Sequence, residues 1–115
     1  MTSQGLGAPQ GKRVAPPNVT PVTVGGVRYE AIHWGRERGL KQNGGYIAAI
    51  DAASGKELWI LKIYQIDYIP KLETDVQDIF IESIKAAANG QSLEIVDEKG
   101  RRFTVNLKSR KVSAR

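Results

Sequence analysis

Few side chains in this chain could do chemistry, and their spacing is unhelpful to it. His33 is the one histidine and so the one obvious general base, but serine and aspartate partners for it cannot be located by spacing, and a lone histidine at the end of an apolar strand face reads as structural. There is no cysteine, which excludes disulfides, thiolate metal sites and thiol nucleophiles together. Asp75, Asp78 and Glu82 lie three and four apart, a spacing that could gather hard-cation ligands or an acid/base pair on one helix face. The same spacing suits a solvated acidic stripe opposite a buried one, and that is how it is taken here. Ser54-Gly55-Lys56 ends like a phosphate-binding loop, but Ile50 occupies the place of the first glycine and Glu57 follows the lysine. An enzyme would have to work through carboxylates, lysine or tyrosine, and none of these forms a recognisable constellation. The expectation leans away from an enzyme, with no catalytic residue, no metal and no cofactor assigned.

Cations are the better candidates. Arg36, Arg38 and Lys41 stand in the glycine-rich run 35–45, beside Trp34, and Arg110 and Lys111 stand near the C-terminus. Clustered cations bind phosphate, and an adjacent aromatic lets an unpaired base stack, so these five residues are a candidate anion or nucleic-acid site, one surface if the loop and the tail converge in space. The formal net charge of +5 conceals three blocks. Residues 1–45 carry six Lys/Arg against two acids, residues 46–100 carry five against ten, and residues 101–115 carry six against none. A basic end of this kind seeks an anion: nucleic acid, an acidic protein, or the chain's own acidic middle.

The elements that would hold these residues follow from periodicity. At 115 residues there is room for one domain. Residues 1–19 are rich in proline and glycine and read as a disordered arm. A single domain is expected over 20–108, followed by a basic tail, 109–115. Within it, Thr20–Val24 and Val27–Trp34 flank Gly25-Gly26 as a hairpin, with Val27, Tyr29, Ala31 and His33 on the inward face. Tyr46–Asp51 and Glu57–Ile66 form a second hairpin, and the later strand is apolar on both faces, which suits the middle of a sheet. Beyond Pro70, Val76, Ile79, Phe80, Ile84 and Ala87 fall at helical spacing. Thr74 with Gln77 makes a capping-box pattern, and Asn89-Gly90 a stop. The pattern predicts a helix over 74–89. Strands at Ser92–Asp97 and Arg101–Lys108 complete the order β-β-β-β-α-β-β, an α+β domain with one helix on an antiparallel sheet of five to six strands.

Ala48-Ala49-Ile50-Asp51-Ala52-Ala53-Ser54-Gly55-Lys56-Glu57-Leu58-Trp59 resembles the blade repeat of quinoprotein-type β-propellers. In that family these residues are structural, so the resemblance implies a hairpin and a docked Trp59. No second copy of the pattern occurs, and neither a propeller nor a quinone is implied.

One helix of sixteen residues is about 24 Å long and ~10 Å wide, too narrow to roof a sheet that is apolar on both faces. The uncovered side therefore calls for strands that curl over themselves or a second copy of the chain, with a hydrophobic ligand as the third choice and Trp34 and Trp59 as the interface residues. The function expected is a small non-enzymatic binding or interaction module that pairs with itself or with another protein. The alternative is a nucleic-acid-binding protein using the glycine-rich loop and the basic tail. The first twenty-four residues lack the apolar run of a secretory leader, and no stretch reaches the ~18 apolar residues of a membrane span. A cytoplasmic location away from membranes is expected.

Overall fold

The structure is a computed structural model and describes residues 15–73 and 76–115. Among these residues there are eight strands: β1 (Val22–Val24), β2 (Val27–Ile32), β3 (Tyr46–Asp51), β4 (Glu57–Lys62), β5 (Ile81–Ala86), β6 (Ser92–Asp97), β7 (Arg102–Asn106) and β8 (Val112–Ala114). The only helical element among them is a 3-10 turn at Gly35–Arg38. The strands form two four-stranded antiparallel meanders, β1-β2-β3-β4 and β5-β6-β7-β8. The fold is therefore nearly all-β, and the α+β class and its helix over 74–89 are corrected.

The reason is a bulge. Ile81 pairs with Asp97 and Ser83 with Val96, so Glu82 is the extra residue of β5. A bulge shifts the period-2 alternation by one position. Ile81 and Ile84 thus both face the core although they stand three apart, the spacing expected of a helix. Asn89-Gly90 does punctuate the chain, but it closes the β5–β6 hairpin, with Gly90 at φ +68° and its N–H donating to the Ala87 carbonyl. Thr74 and Asp75, the proposed cap and first-turn acid, lie outside the described residues, as does most of the N-terminal arm.

Other elements fall where periodicity puts them. Gly25 and Gly26 both take positive φ, the requirement of a two-residue turn that matches strand twist. The strand expected at the middle of the sheet, however, is its edge: β4 pairs only with β3, and β3 is the interior strand apolar on both faces. One end of the basic segment 109–115 is also ordered as β8, whose Ser113 lies opposite Thr104 of β7.

The two sheets share one core. Tyr29, Ile47 and Ala49 from the first meet Ile84, Leu93, Ile95, Phe103 and Val105 from the second, with Ile63, Tyr64 and Ile66 of the connecting loop filling between them. The second meander covers the face for which a single helix would have been too narrow. On the far face of the first sheet a smaller cluster, Ile32, Tyr46 and Ala48, is capped by Leu40 from the glycine-rich loop.

Candidate interaction surface

Two irregular segments, 33–45 and 63–80, interlock at one end of the molecule. Their backbones have few ladder partners, so buried side chains must satisfy them. Gln42 is 1% exposed. Its Nε2 donates to the Gly44 and Tyr64 carbonyls, both at 2.8 Å, and its Oε1 accepts from the Ile66 N–H at 2.9 Å. Beside it, Asn43 Nδ2 donates to Asp78 Oδ2 at 3.0 Å, and the Tyr68 hydroxyl donates to Asp78 Oδ1 at 2.5 Å. Burial, aided by that hydrogen bond to Asp78, pushes the Tyr68 pKa up to about 12. Gln77 closes the outer turn, with Oε1 accepting from the Ile69 N–H and Nε2 donating to the carbonyls of Ile69, Leu72 and Glu73. The glycines are obligatory where the loops touch: a Cβ on Gly44 would lie 2.5 Å from the Ile79 carbonyl oxygen, and on Gly45 2.9 Å from that of Tyr64.

This scaffold holds large apolar side chains in water. Trp34 is 46% exposed, with its ring edge-on to buried Phe80 at 5.6 Å between centroids. Ile69, Leu72 and Val76 on the partner segment are 56%, 52% and 43% exposed. The same two segments carry charges of both signs: Arg36, Glu37, Lys71 and Glu73 are all exposed. Sequence periodicity conceals three of the four apolar residues, because Val76 fits a helix stripe and Ile69 and Leu72 fall between the strand expected to end at Ile66 and the helix expected from residue 74. Pro70 between them was the signal that this stretch is a displayed turn.

The candidate anion-binding residues lie in different surroundings. Arg36 lies over the Tyr68 ring, 4.6 Å from its centroid, and its Nε donates to the Lys41 carbonyl. Arg38 reaches both carboxylate oxygens of Glu57 through Nη2, at 2.6 and 2.5 Å. Arg110 lies over the Trp59 ring at 4.6 Å. Glu57 pairs with Ile50 and Trp59 with Ala49, so Arg38 and Arg110 approach β4 from opposite faces of the sheet. Lys41 and Lys111 are exposed, Lys41 in the glycine-rich loop and Lys111 just ahead of β8. Trp59 itself is half-buried, tilted against Tyr29 at 5.9 Å. The two tryptophans named as interface residues therefore differ: Trp59 is packed between the sheets and Trp34 is presented to solvent.

His33 serves the fold. Its Nε2 is 2.8 Å from the Pro17 carbonyl, which ties the end of the 1–19 segment to the residue that follows β2, and its ring meets Phe80 edge-on at 5.0 Å. No carboxylate or serine bonds it among the described residues. Nor do three or more His, Asp or Glu side chains gather there as a metal site. Asp78, once grouped with Asp75 and Glu82, is buried under Asn43 and Tyr68, whereas Glu82 is exposed.

No protein-family model matches the chain, and comparison with curated proteins yields no match. No helix among the described residues is long and apolar enough to cross a membrane.

Proposed function

We propose that this protein is a non-enzymatic interaction module that associates with a second copy of itself through the surface bearing Trp34, Ile69, Leu72 and Val76. The observation that carries the proposal is the exposed indole of Trp34, held against Phe80 by loops that the buried side chains of Gln42 and Asp78 cross-link. Exposed apolar side chains on a rigid support bind well because little entropy remains to be lost, and tryptophan is the commonest energetic anchor of interfaces. A two-fold contact sets one patch against itself, which is tolerable only if its charges are mixed. Arg36 and Lys71 with Glu37 and Glu73 meet that condition. A cytoplasmic setting is part of the same proposal.

Nucleic-acid binding through Arg36, Arg38, Lys41, Arg110 and Lys111 has weaker support, because the three arginines are engaged by Tyr68, Glu57 and Trp59 and the sites do not converge. Sedimentation equilibrium tests the proposal. The wild type is expected above its 12.6 kDa monomer mass at high concentration, and the double variant W34S/I69S at 12.6 kDa throughout. A wild type that stays at the monomer mass, or a double variant that self-associates equally, refutes it.

A further inference from the structure

Lys111 stands apart from the other candidate cations because of what surrounds it. The outward face of the second sheet carries a groove of about 320 Å³ lined by Asn89, Gln91, Ser92, Thr104, Asn106, Ser109, Lys111 and Ser113. The register explains the lining: Ser92 lies opposite Asn106 and Thr104 opposite Ser113, all on the face away from Leu93, Ile95, Phe103 and Val105. Every lining side chain is polar and none is acidic.

The hydrogen bonds already made decide what the groove presents. Asn106 Oδ1 accepts from the N–H groups of Lys108 and Ser109, both at 2.9 Å, and Asn89 Oδ1 accepts from the Gln91 N–H at 2.9 Å. Each asparagine thus has its acceptor committed to its own turn, leaving the amide NH2 to donate elsewhere. Ser109 Oγ accepts from the Lys111 N–H at 3.2 Å, which leaves its hydroxyl proton free to point outward. The lining is biased toward donors, with one ammonium among them. Glu94, which lies opposite Thr104, is paired with Arg115 Nη1 at 3.2 Å.

Arg110 accounts for the separation of the two neighbouring cations. It is the only non-glycine residue with positive φ among those described, at +62°. A side chain in that region costs of order 1 kcal/mol or more, a strain that persists only where packing fixes it. Here its guanidinium is held over Trp59 on the core side, while Lys111 lines the groove on the outer side.

From this geometry we infer that the groove is a binding site for a tetrahedral oxyanion, phosphate or sulfate, either free or carried on a larger molecule. A charge-assisted contact from Lys111 together with neutral donors from Asn106, Asn89 and Ser109 fits that ligand, whereas a cation would meet the Lys111 ammonium and no carboxylate in the lining. The site is independent of the self-association surface, which lies on the loops at 33–45 and 63–80.

Amide spectra of the 15N-labelled protein, titrated with sodium phosphate, sodium sulfate and, at matched ionic strength, sodium chloride, provide the test. Saturable shifts confined to Gln91, Ser109, Lys111 and their neighbours are expected with the first two salts only. Lys111→Gln should weaken binding about tenfold, the usual consequence of losing a charged hydrogen-bond partner. Asn106→Asp retains both acceptors of its turn but replaces the donor with a negative charge, and should abolish the shifts while the rest of the spectrum stays in place. If that variant fails to fold, Lys111→Gln alone decides. Tighter binding of O-phosphoserine than of inorganic phosphate would identify a phosphate carried on a larger molecule, and equal binding the free ion. Shifts that chloride reproduces, or that survive both substitutions, overturn the inference.

Discussion

Tyr68 shows how closely the loop scaffold depends on single polar atoms. Its hydroxyl donates to Asp78, its ring supports Arg36, and burial raises its pKa to about 12 against the ordinary 10. A proton held more tightly in the folded state stabilises it below the unfolded pKa, and that contribution is lost as the pH rises from about 10 through about 12. Urea midpoints measured from pH 8 to pH 12 should therefore fall steeply above pH 10. Tyr68→Phe should start lower at pH 8, by roughly 1–3 kcal/mol for a bond to a charged acceptor, and fall less steeply above pH 10. Tyr64 and Tyr29, whose pKa values burial also raises, keep some slope in the variant, so identical slopes in the two proteins would refute the assignment. Little of this site could be read in sequence. Gln42 and Asn43 sit in a loop that attracts attention for its cations, but their partners lie 22, 24 and 35 residues away, at Tyr64, Ile66 and Asp78. Spacing reports neighbours along a helix or strand, not contacts between two irregular segments.

At the scale of elements, the sequence predicts strands well where a turn of definite chemistry bounds an unbroken alternation. β3 and β6 fall at the expected residues, and β2 and β7 end within a few residues of them. Two of the misses lie in elements whose alternation is interrupted or too brief to read. The bulge at Glu82 turns the β5 pattern into one that fits 3.6 residues per turn, and β8 is only three residues long, too short for alternation to register. That strand is more than a tail: Val112 packs against the core, Arg115 N–H donates to the Arg102 carbonyl, and Arg110 covers Trp59. Ending the chain at Lys108 should therefore remove about 2 kcal/mol of stability, which lowers the Tm of a domain this size by about 10 °C. Thermal melts followed by circular dichroism would check it. An unchanged Tm would mean that 109–115 contributes nothing to the fold.

Across the whole molecule, the charge blocks and the two meanders tell one story. The basic flanks were read as seeking an anion, and in part they find the chain's own acidic middle: Arg38 pairs with Glu57, Arg101 with Asp97 and Arg115 with Glu94. Arg38–Glu57 and Arg115–Glu94 are open to solvent and contribute about 0–1 kcal/mol each. Buried Asp97 also accepts from the Lys99 and Arg101 N–H groups within its own turn, so these pairs do not hold the sheets together. The common apolar core does, and neither meander could bury its inner face alone. The two should consequently unfold as one unit. Trp59 is the natural probe, because it projects from β4 of the first sheet and is covered by Arg110 from the β7–β8 turn of the second. With Trp34→Phe as background, Trp59 is the sole indole, and its fluorescence reports separation of the sheets. Its transition in urea should coincide with the loss of far-ultraviolet circular dichroism, at one midpoint and one slope. If the fluorescence changes at a lower urea concentration while strand signal persists, the meanders part before they melt. Each would then be a folding unit in its own right, and the shared core a docking contact.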